Sequence, residues 1–103
     1  NIKLGPINFD HLTSEISYFI GEKNFQNKGL GSLAIKNVLI IAKKRFKLKK
    51  ITAGVYNNNI SSKKVLLKNK FKLEGKLKKQ YKFNNKRIDG LVYGKIISLW
   101  LVY

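Results

Sequence analysis

The amphipathic run from Gly29 to Phe46, with a strand-like segment on each side, most constrains the fold of this chain. Its apolar residues recur at the three- and four-residue spacing of one helical face. Lys43, Lys44 and Arg45 lie in the last turn, where cations interact favourably with the helix dipole. The spacing predicts a buried face made of Leu30, Leu33, Ala34, Val38, Ile41 and Ala42.

Five other segments have the composition and alternation of strands, and they frame two helices in the order β-β-α-β-α-β-β. The fourth strand alternates almost without fault, which predicts an apolar face of Phe71, Leu73, Leu77, Tyr81 and Phe83 above a hydrated lysine-rich face. The predicted strands are Asn1–Phe9 (interrupted by Gly5-Pro6), Glu15–Gly21, Ile51–Tyr56, Phe71–Phe83 and Ile88–Ile97; the second helix runs from a cap at Ser61 or Ser62 to about Asn69. The pattern predicts an α/β fold with a mixed, mostly antiparallel central sheet and two crossover helices.

The chain has 103 residues, 44% of them hydrophobic, which suits a single domain over residues 1–103 with one core. No repeat or linker divides it. The first residue is Asn1 rather than Met, and it already lies in strand-like sequence, so we expect the domain to be truncated at its N-terminus.

The formal net charge of +17 has two interpretations. A basic surface can bind nucleic acid, an anionic membrane or a polyanionic ligand. It can also be a solvated lysine surface, of the kind that an AT-rich genome encodes. Only Arg45 and Arg87 among the 22 basic residues are arginine, and base readout favours the bidentate guanidinium. We therefore favour the second interpretation and do not expect nucleic acid as the partner.

The absence of cysteine excludes disulfides, thiolate metal sites and a cysteine nucleophile, and it suits a reducing cytoplasm. No His, Asp or Glu cluster has the spacing of a metal site, so we expect no metal. The apolar end from Ile96 to Tyr103 is too short to span a bilayer, but it could support a homodimer. Tyr56, Phe83 and Trp100 fall within strand patterns and are expected in the core.

The loop before the first helix carries the strongest chemical signal. Gly29-Leu30-Gly31 opens the helix, and the first N–H groups of a helix lack internal partners and carry partial positive charge. Such a junction binds a diphosphate well. An ordinary turn before a helix explains the same residues, and the loop is neither a Walker A loop nor a dinucleotide fingerprint.

The wider context favours the phosphate-binding interpretation. Gln26-x-x-Gly29-x-Gly31 follows the segment Tyr18-Phe19-Ile20-Gly21-Glu22 at short range. Further along come Asn59-Ile60-Ser61-Ser62, then Val65–Phe71, then Leu73-Glu74-Gly75. This series resembles the GNAT superfamily of N-acetyltransferases, in the branch with ribosomal-protein N-terminal and bacterial amino-sugar N-acetyltransferases. The resemblance covers about Asn1 to Ile97.

The resemblance implies acetyl-CoA as cosubstrate and a set of residues that bind it. Backbone groups of one strand would pair with the pantetheine arm and polarise the thioester carbonyl, the loop would hold the pyrophosphate, and two residues near the second helix would contact the distal part. In that order these are Phe19, Ile20 and Gly21; Gln26, Asn27, Lys28, Gly29, Leu30, Gly31 and Ser32; and Asn59 and Ser62.

The implied reaction is direct attack of a primary amine on the thioester, which needs a base for the amine proton. Glu15 is the carboxylate nearest the implied catalytic strand and is our candidate. The tyrosine that many members use as acid falls near Leu66, so Tyr18, Tyr81 and Tyr93 stay open as substitutes. Two residues depart from the family pattern: Lys70 replaces a glycine and Leu67 a glutamate.

Three functions are compatible with these features. We favour acetylation of a small-molecule amine, with a nucleotide-linked amino sugar as acceptor, because the strand Lys50–Tyr56, the Asn58-Asn59 turn and the hairpin Phe83–Lys86 look closest to sugar-modifying members. A protein N-terminus is the alternative acceptor. A non-catalytic, basic module that binds nucleic acid or the ribosome is the competing class.

Overall fold

The structure, a computed structural model, describes residues 2–18 and 30–97. The order of elements is the one that the sequence predicts, and the α/β class is confirmed. The elements are β1 (Ile2–Leu4), β2 (Thr13–Tyr18), α1 (Leu30–Lys44), β3 (Lys50–Tyr56), α2 (Ile60–Lys68), β4 (Lys72–Phe83) and β5 (Lys86–Ile96). No helix within these residues is long and apolar enough to cross a membrane.

The five strands form one sheet in the order β1-β2-β3-β5-β4. Only β2 and β3 pair in parallel, and α1 lies in the connection between them. The other three ladders are antiparallel, as predicted for a mixed, mostly antiparallel sheet. β1 is an edge strand that ends at Leu4, directly before Gly5-Pro6, where the sequence predicts an interruption.

One face of the sheet carries the core. Ile16, Ala53 and Tyr93 are aligned across β2, β3 and β5, so their side chains point to the same side, and each is at most 4% exposed. Both helices pack on this side and contribute Ile35, Leu39, Ala42 and Leu66 to the same buried cluster. We call this side the helix face and the opposite side the open face.

The buried side of α1 differs from the predicted one. Ile35, Leu39 and Ala42 are buried, whereas Leu33 is 52% and Ile41 is 48% exposed. The prediction was wrong for these two because α1 is apolar on more than half of its circumference, so several stripes fit the helical period equally well. Ile35 and Leu39 lie one position after members of the predicted stripe, and they face the sheet instead.

β4 also departs from its pattern, because two bulges interrupt its pairing with β5. The register shifts between Leu73 and Gly75 and again between Leu77 and Tyr81. Each extra residue changes the face to which the following side chains point. Leu73 therefore pairs with Tyr93 of the helix face, whereas Leu77 pairs with Gly90 and lies on the open face. The prediction of one shared apolar face was wrong.

The turns follow from local chemistry. Asn84 and Asn85 have φ values of 51° and 64°, the left-handed geometry of a two-residue hairpin turn, which confirms the predicted turn. The cap of α2 is Asn59 rather than Ser61 or Ser62. Asn59 Oδ1 accepts a hydrogen bond of 3.0 Å from the Ser62 N–H, so the serines lie inside the first turn.

Candidate active site

The parallel strands β2 and β3 separate before they end. Their ladder runs from Thr13↔Lys50 to Ile16↔Ala53. β2 nevertheless continues to Tyr18 and β3 to Tyr56, so within the described residues the last part of each strand lacks the other as a partner. Unpaired backbone at the carboxyl ends of parallel strands is a favourable place for a ligand that adds to the sheet like a strand.

The start of α1 lies at the same end of the sheet, because α1 follows β2 in the chain. Its first turn contains no acidic residue that would compete for the free N–H groups. Of the predicted pyrophosphate-binding residues, Leu30, Gly31 and Ser32 lie in this turn. Phe19, Ile20, Gly21 and Gln26–Gly29 lie outside the described residues, so their roles stay predictions.

Asn69 holds this turn in place. Sequence reasoning missed this role, because a polar residue at the end of α2 was its only sign. Its side chain is buried, and Nδ2 donates to Ser32 O at 3.1 Å and to Ser32 Oγ at 3.0 Å. It also donates to Val65 O at 3.1 Å. Asn69 thereby fixes the start of α1 against the end of α2. It is a positioning residue for any ligand bound there.

The start of α2 contains the other two predicted cofactor residues. Asn59 is half-buried and its side chain caps the helix, while Ser62 is only 3% exposed. Contacts of Asn59 and Ser62 with the distal part of a cofactor stay a prediction.

The open face brings Glu15 and a tyrosine together above β3. A methyl group at position 54, where the chain has glycine, would lie 3.3 Å from Tyr81 Oη and 3.6 Å from Glu15 Oε2. Gly54 directly follows Ala53, the last residue of β3 that pairs with β2. The carboxylate and the hydroxyl therefore converge at the point where the two strands separate.

The ring of Tyr81 is held by its neighbours. It lies so close to Gly90 that a Cβ there would approach Tyr81 Cε2 to 2.6 Å. The ring centroids of Tyr81 and Tyr56 are 4.6 Å apart, and Phe83 meets Tyr56 edge-on at 6.0 Å. Tyr56 is 38% and Phe83 is 41% exposed, so the prediction that these two belong to the core was wrong. Together with Tyr81 they form an aromatic surface on the open face.

Among the candidate tyrosines, Tyr81 alone has a described hydroxyl near Glu15. Tyr93 is only 4% exposed and belongs to the core on the helix face. Leu66, where many relatives have the acid, is fully buried. The side chain of Tyr18 lies outside the described part of the chain.

The remaining described carboxylates on the sheet are engaged elsewhere. Glu74 forms an ion pair of 2.9 Å with Lys50. Asp89 accepts a hydrogen bond of 2.9 Å from the Lys79 N–H, which, with the charge of Lys76, lowers the pKa of Asp89. Asp89 also forms an ion pair of 3.7 Å with Lys76. No group of three potential metal-binding side chains occurs within residues 2–18 and 30–97.

Comparison with known families shows to which family this chain belongs. Residues 2–72 match the sequence profile of the Acetyltransferase (GNAT) domain. The chain belongs to the GNAT acetyltransferases. Among curated protein sequences, none matches it significantly.

Solved structures of GNAT acetyltransferases share its fold. A dodecameric spermidine N-acetyltransferase from Vibrio cholerae superposes with a TM-score of 0.84 at 24% identity, over 94% of this chain and 56% of that one. A ribosomal-protein-S5-alanine acetyltransferase from Vibrio fischeri gives 0.83 at 25% identity, over 98% and 55%. A ribosomal L7/L12 alpha-N-protein acetyltransferase in complex with coenzyme A gives 0.83 at 23%, over 94% and 54%. The chain thus spans little more than half the length of these proteins.

Proposed function

We propose that this GNAT chain is the cofactor-binding portion of an N-acetyltransferase, which transfers the acetyl group of acetyl-CoA to a primary amine. The observation that carries the proposal is the convergence of Glu15 Oε2 and Tyr81 Oη above Gly54. The two atoms lie on the open face, next to the position where the pairing of β2 with β3 ends.

The described residues fit acetyl-CoA in two respects. The free edge of β2 has the backbone donors and acceptors that an amide-containing pantetheine arm can pair with. The first turn of α1, held by Asn69, presents N–H groups suited to phosphate oxygens. We propose that Phe19, Ile20, Gly21, the loop Gln26–Ser32, Asn59 and Ser62 complete this site.

Glu15 and Tyr81 divide the proton transfers between them. Acetyl-CoA, when bound, supplies a thioester that a neutral amine can attack directly. Glu15 accepts the proton that the nitrogen loses as it bonds to the acetyl carbon. Tyr81 donates its hydroxyl proton to the sulfur as the carbon–sulfur bond breaks. Solvent then restores the protonation of both side chains.

Binding and chemistry can be tested separately. Calorimetric titration with acetyl-CoA should show binding that Gly29→Glu abolishes, because the new carboxylate would occupy the proposed pyrophosphate site. Gly75→Glu is the matched control, since no atom lies within 4 Å of a Cβ at Gly75. If Gly29→Glu binds acetyl-CoA as tightly as Gly75→Glu does, the proposed cofactor site is wrong.

The proton transfers require a kinetic experiment. Glu15→Gln should lower kcat by about 10²–10⁴-fold and leave acetyl-CoA affinity unchanged. Tyr81→Phe should lower kcat and leave acetyl-CoA affinity unchanged. Glu74→Gln and Tyr56→Phe keep the fold and alter neighbouring groups, so they should have little effect on kcat. Loss of activity in the controls to the same extent would refute these roles.

For the acceptor we propose a nucleotide-linked amino sugar, acetylated in a bacterial cytoplasm. The exposed rings of Tyr56 and Phe83 support this choice, because together with Tyr81 they offer an aromatic surface for a sugar or base on the face that contains Glu15. A panel of a uridine-diphosphate amino sugar, spermidine and a peptide with a free N-terminus tests it. Tyr56→Leu should raise KM for the sugar only. Faster turnover of spermidine or the peptide would overturn the choice.

A further inference from the structure

The two helices turn aliphatic side chains away from the sheet. The buried side of α1 contains Ile35, Leu39 and Ala42, and that of α2 contains Ser62 and Leu66. A helix turns about 100° per residue, so a position two or five residues from a buried one lies on the far side. Five large aliphatic residues occupy that far side, and each is between 47% and 63% exposed: Leu33, Ile40, Ile41, Ile60 and Leu67.

These side chains lie in one layer. Asn69, at the end of α2, donates hydrogen bonds to Ser32 in the first turn of α1, so the two helices are neighbours. Both helices pack their buried sides on the helix face of the sheet. Their far sides therefore point in the same direction. We call the five aliphatic residues, together with the exposed lysines Lys44, Lys64 and Lys68, the outer helix surface.

The outer helix surface is basic as well as aliphatic. Its three lysines are each two positions from a buried residue, which places them on the far side with the aliphatic side chains. Neither helix contains an aspartate or a glutamate. Glu15 and Glu74 lie on the open face, so the sheet separates them from this surface. A partner that matches the surface needs apolar and anionic groups together.

An anionic bilayer fits this surface better than three other partners. A second copy of the chain would bring identical lysines together in two molecules that each carry a net charge of +17. Single-stranded nucleic acid stacks on aromatic rings and base readout favours arginine, but neither helix contains an aromatic residue or an arginine. A peptide needs a groove for its apolar anchors, whereas these side chains lie on the convex outer sides of two helices. A bilayer supplies acyl chains and phosphates without requiring a pocket.

We propose that the outer helix surface binds an anionic lipid bilayer. The aliphatic side chains enter the boundary between headgroups and acyl chains, and the lysines pair with lipid phosphates. Both helices then lie in the plane of the interface. The proposal rests on the outer sides of α1 and α2 and does not depend on acetyl transfer.

Cosedimentation of the full chain with lipid vesicles tests the proposal. One set of vesicles contains equal parts of phosphatidylglycerol and phosphatidylcholine, and the other contains phosphatidylcholine alone. The anionic vesicles should bind at least about tenfold more tightly, because each lysine near an anionic surface contributes about fivefold. Rising salt should weaken this binding. Equal binding to both kinds of vesicle would contradict the role of the lysines.

Matched pairs of lysine variants locate the binding. Lys44→Gln combined with Lys68→Gln should weaken binding to anionic vesicles about 25-fold. Lys72→Gln combined with Lys86→Gln removes the same charge from the open face. A helix is about 10 Å across, so that face is farther from the bilayer than the Debye length of about 8–10 Å. The control pair should therefore change the affinity less than about twofold, and equal effects of the two pairs would count against this surface.

Leu67→Gln measures the aliphatic contribution, because it changes no charge. The side chain of Leu67 is 54% exposed, so the substitution should leave the fold intact and weaken vesicle binding about fivefold. Leu77→Gln, at a position of the open face that is 42% exposed, is the matched control and should have little effect.

Insertion can be observed directly, because the chain contains no cysteine and a single introduced thiol can be labelled. A nitrobenzoxadiazole dye on the Ile60→Cys variant should shift its emission to the blue when anionic vesicles are added. The same dye on the Leu77→Cys variant should not. A soluble polyanion, represented by an oligouridylate, should shift neither.

Three results would overturn the proposal. One is a dye at Ile60 that stays in water when vesicles bind. Another is a Leu67→Gln variant that binds anionic vesicles as tightly as the unchanged protein. The third is an equal blue shift of the Ile60 dye with oligouridylate, which would identify nucleic acid as the partner.

Discussion

Replacing Lys70 with glycine should stabilise the protein, because Lys70 has the backbone conformation that disfavours a side chain. Its φ is 69°, in the left-handed region. It directly follows Asn69, the cap of α2, and its N–H donates to Leu67 O at 3.0 Å. The Phe71 N–H donates to Leu66 O at 3.0 Å. These two bonds define the helix end in which glycine normally takes the left-handed position.

The size of the effect follows from two opposing terms. A left-handed conformation costs an ordinary residue about 1–2 kcal/mol, which glycine does not pay. Glycine makes the unfolded chain more flexible, which costs about 0.4–1 kcal/mol. The net gain for Lys70→Gly is therefore about 1 kcal/mol. In a domain of this size that raises Tm by roughly 4–8 °C.

Urea and thermal unfolding of three proteins measure it. Lys70→Ala is the control, because it removes the same charge beside Lys95 but keeps a Cβ. We expect Lys70→Gly to exceed Lys70→Ala in unfolding free energy by about 1 kcal/mol or more. If alanine stabilises as much as glycine, relief of charge repulsion is the cause and the conformational reasoning fails.

Three further predictions concern hydrogen bonds. Asn59→Ala removes the cap of α2 and should cost about 1 kcal/mol in urea unfolding, with Asn58→Ala nearly neutral. Asn69→Ala leaves Ser32 without its buried donor and should cost about 1–3 kcal/mol, as well as weaken acetyl-CoA binding; an unchanged affinity would contradict the positioning role. The pKa of Asp89 is lowered on folding, so its stabilising contribution is present above the unfolded value of 3.8 and is lost as pH falls through the folded pKa. Urea titrations of Asp89→Asn in acid should lack this loss, and a parallel acid dependence in both proteins would contradict it.

Much of the fold could be predicted because neighbouring residues determine it. The Asn84-Asn85 turn needs only two residues that tolerate positive φ. The orientation of α1 could not be predicted. Because α1 is apolar on more than half of its circumference, its sequence does not indicate which side meets the sheet.

The candidate site could likewise be predicted only in part. Glu15 could be chosen from its position on a strand beside the loop. Tyr81 could not be chosen over Tyr93, because its face depends on the register shift between Leu73 and Gly75. The residue pattern of a single strand does not reveal such a shift. The approach of Tyr81 to Gly54 also depends on the register among β3, β5 and β4. The sequences of the single strands do not reveal that register.

The hairpin of β4 and β5 has a consequence for the order of folding. Its strands are adjacent in sequence and joined by two residues, so its loop closes at little entropic cost. β3 can then pair with β5, whereas the parallel pairing of β2 with β3 must wait for a crossover that includes α1. Local contacts form before distant ones, so we expect amide protection to appear first in β4 and β5. Glu15 and Tyr81 would then meet only in the final step, so the part of the open face that contains them would be the last to fold.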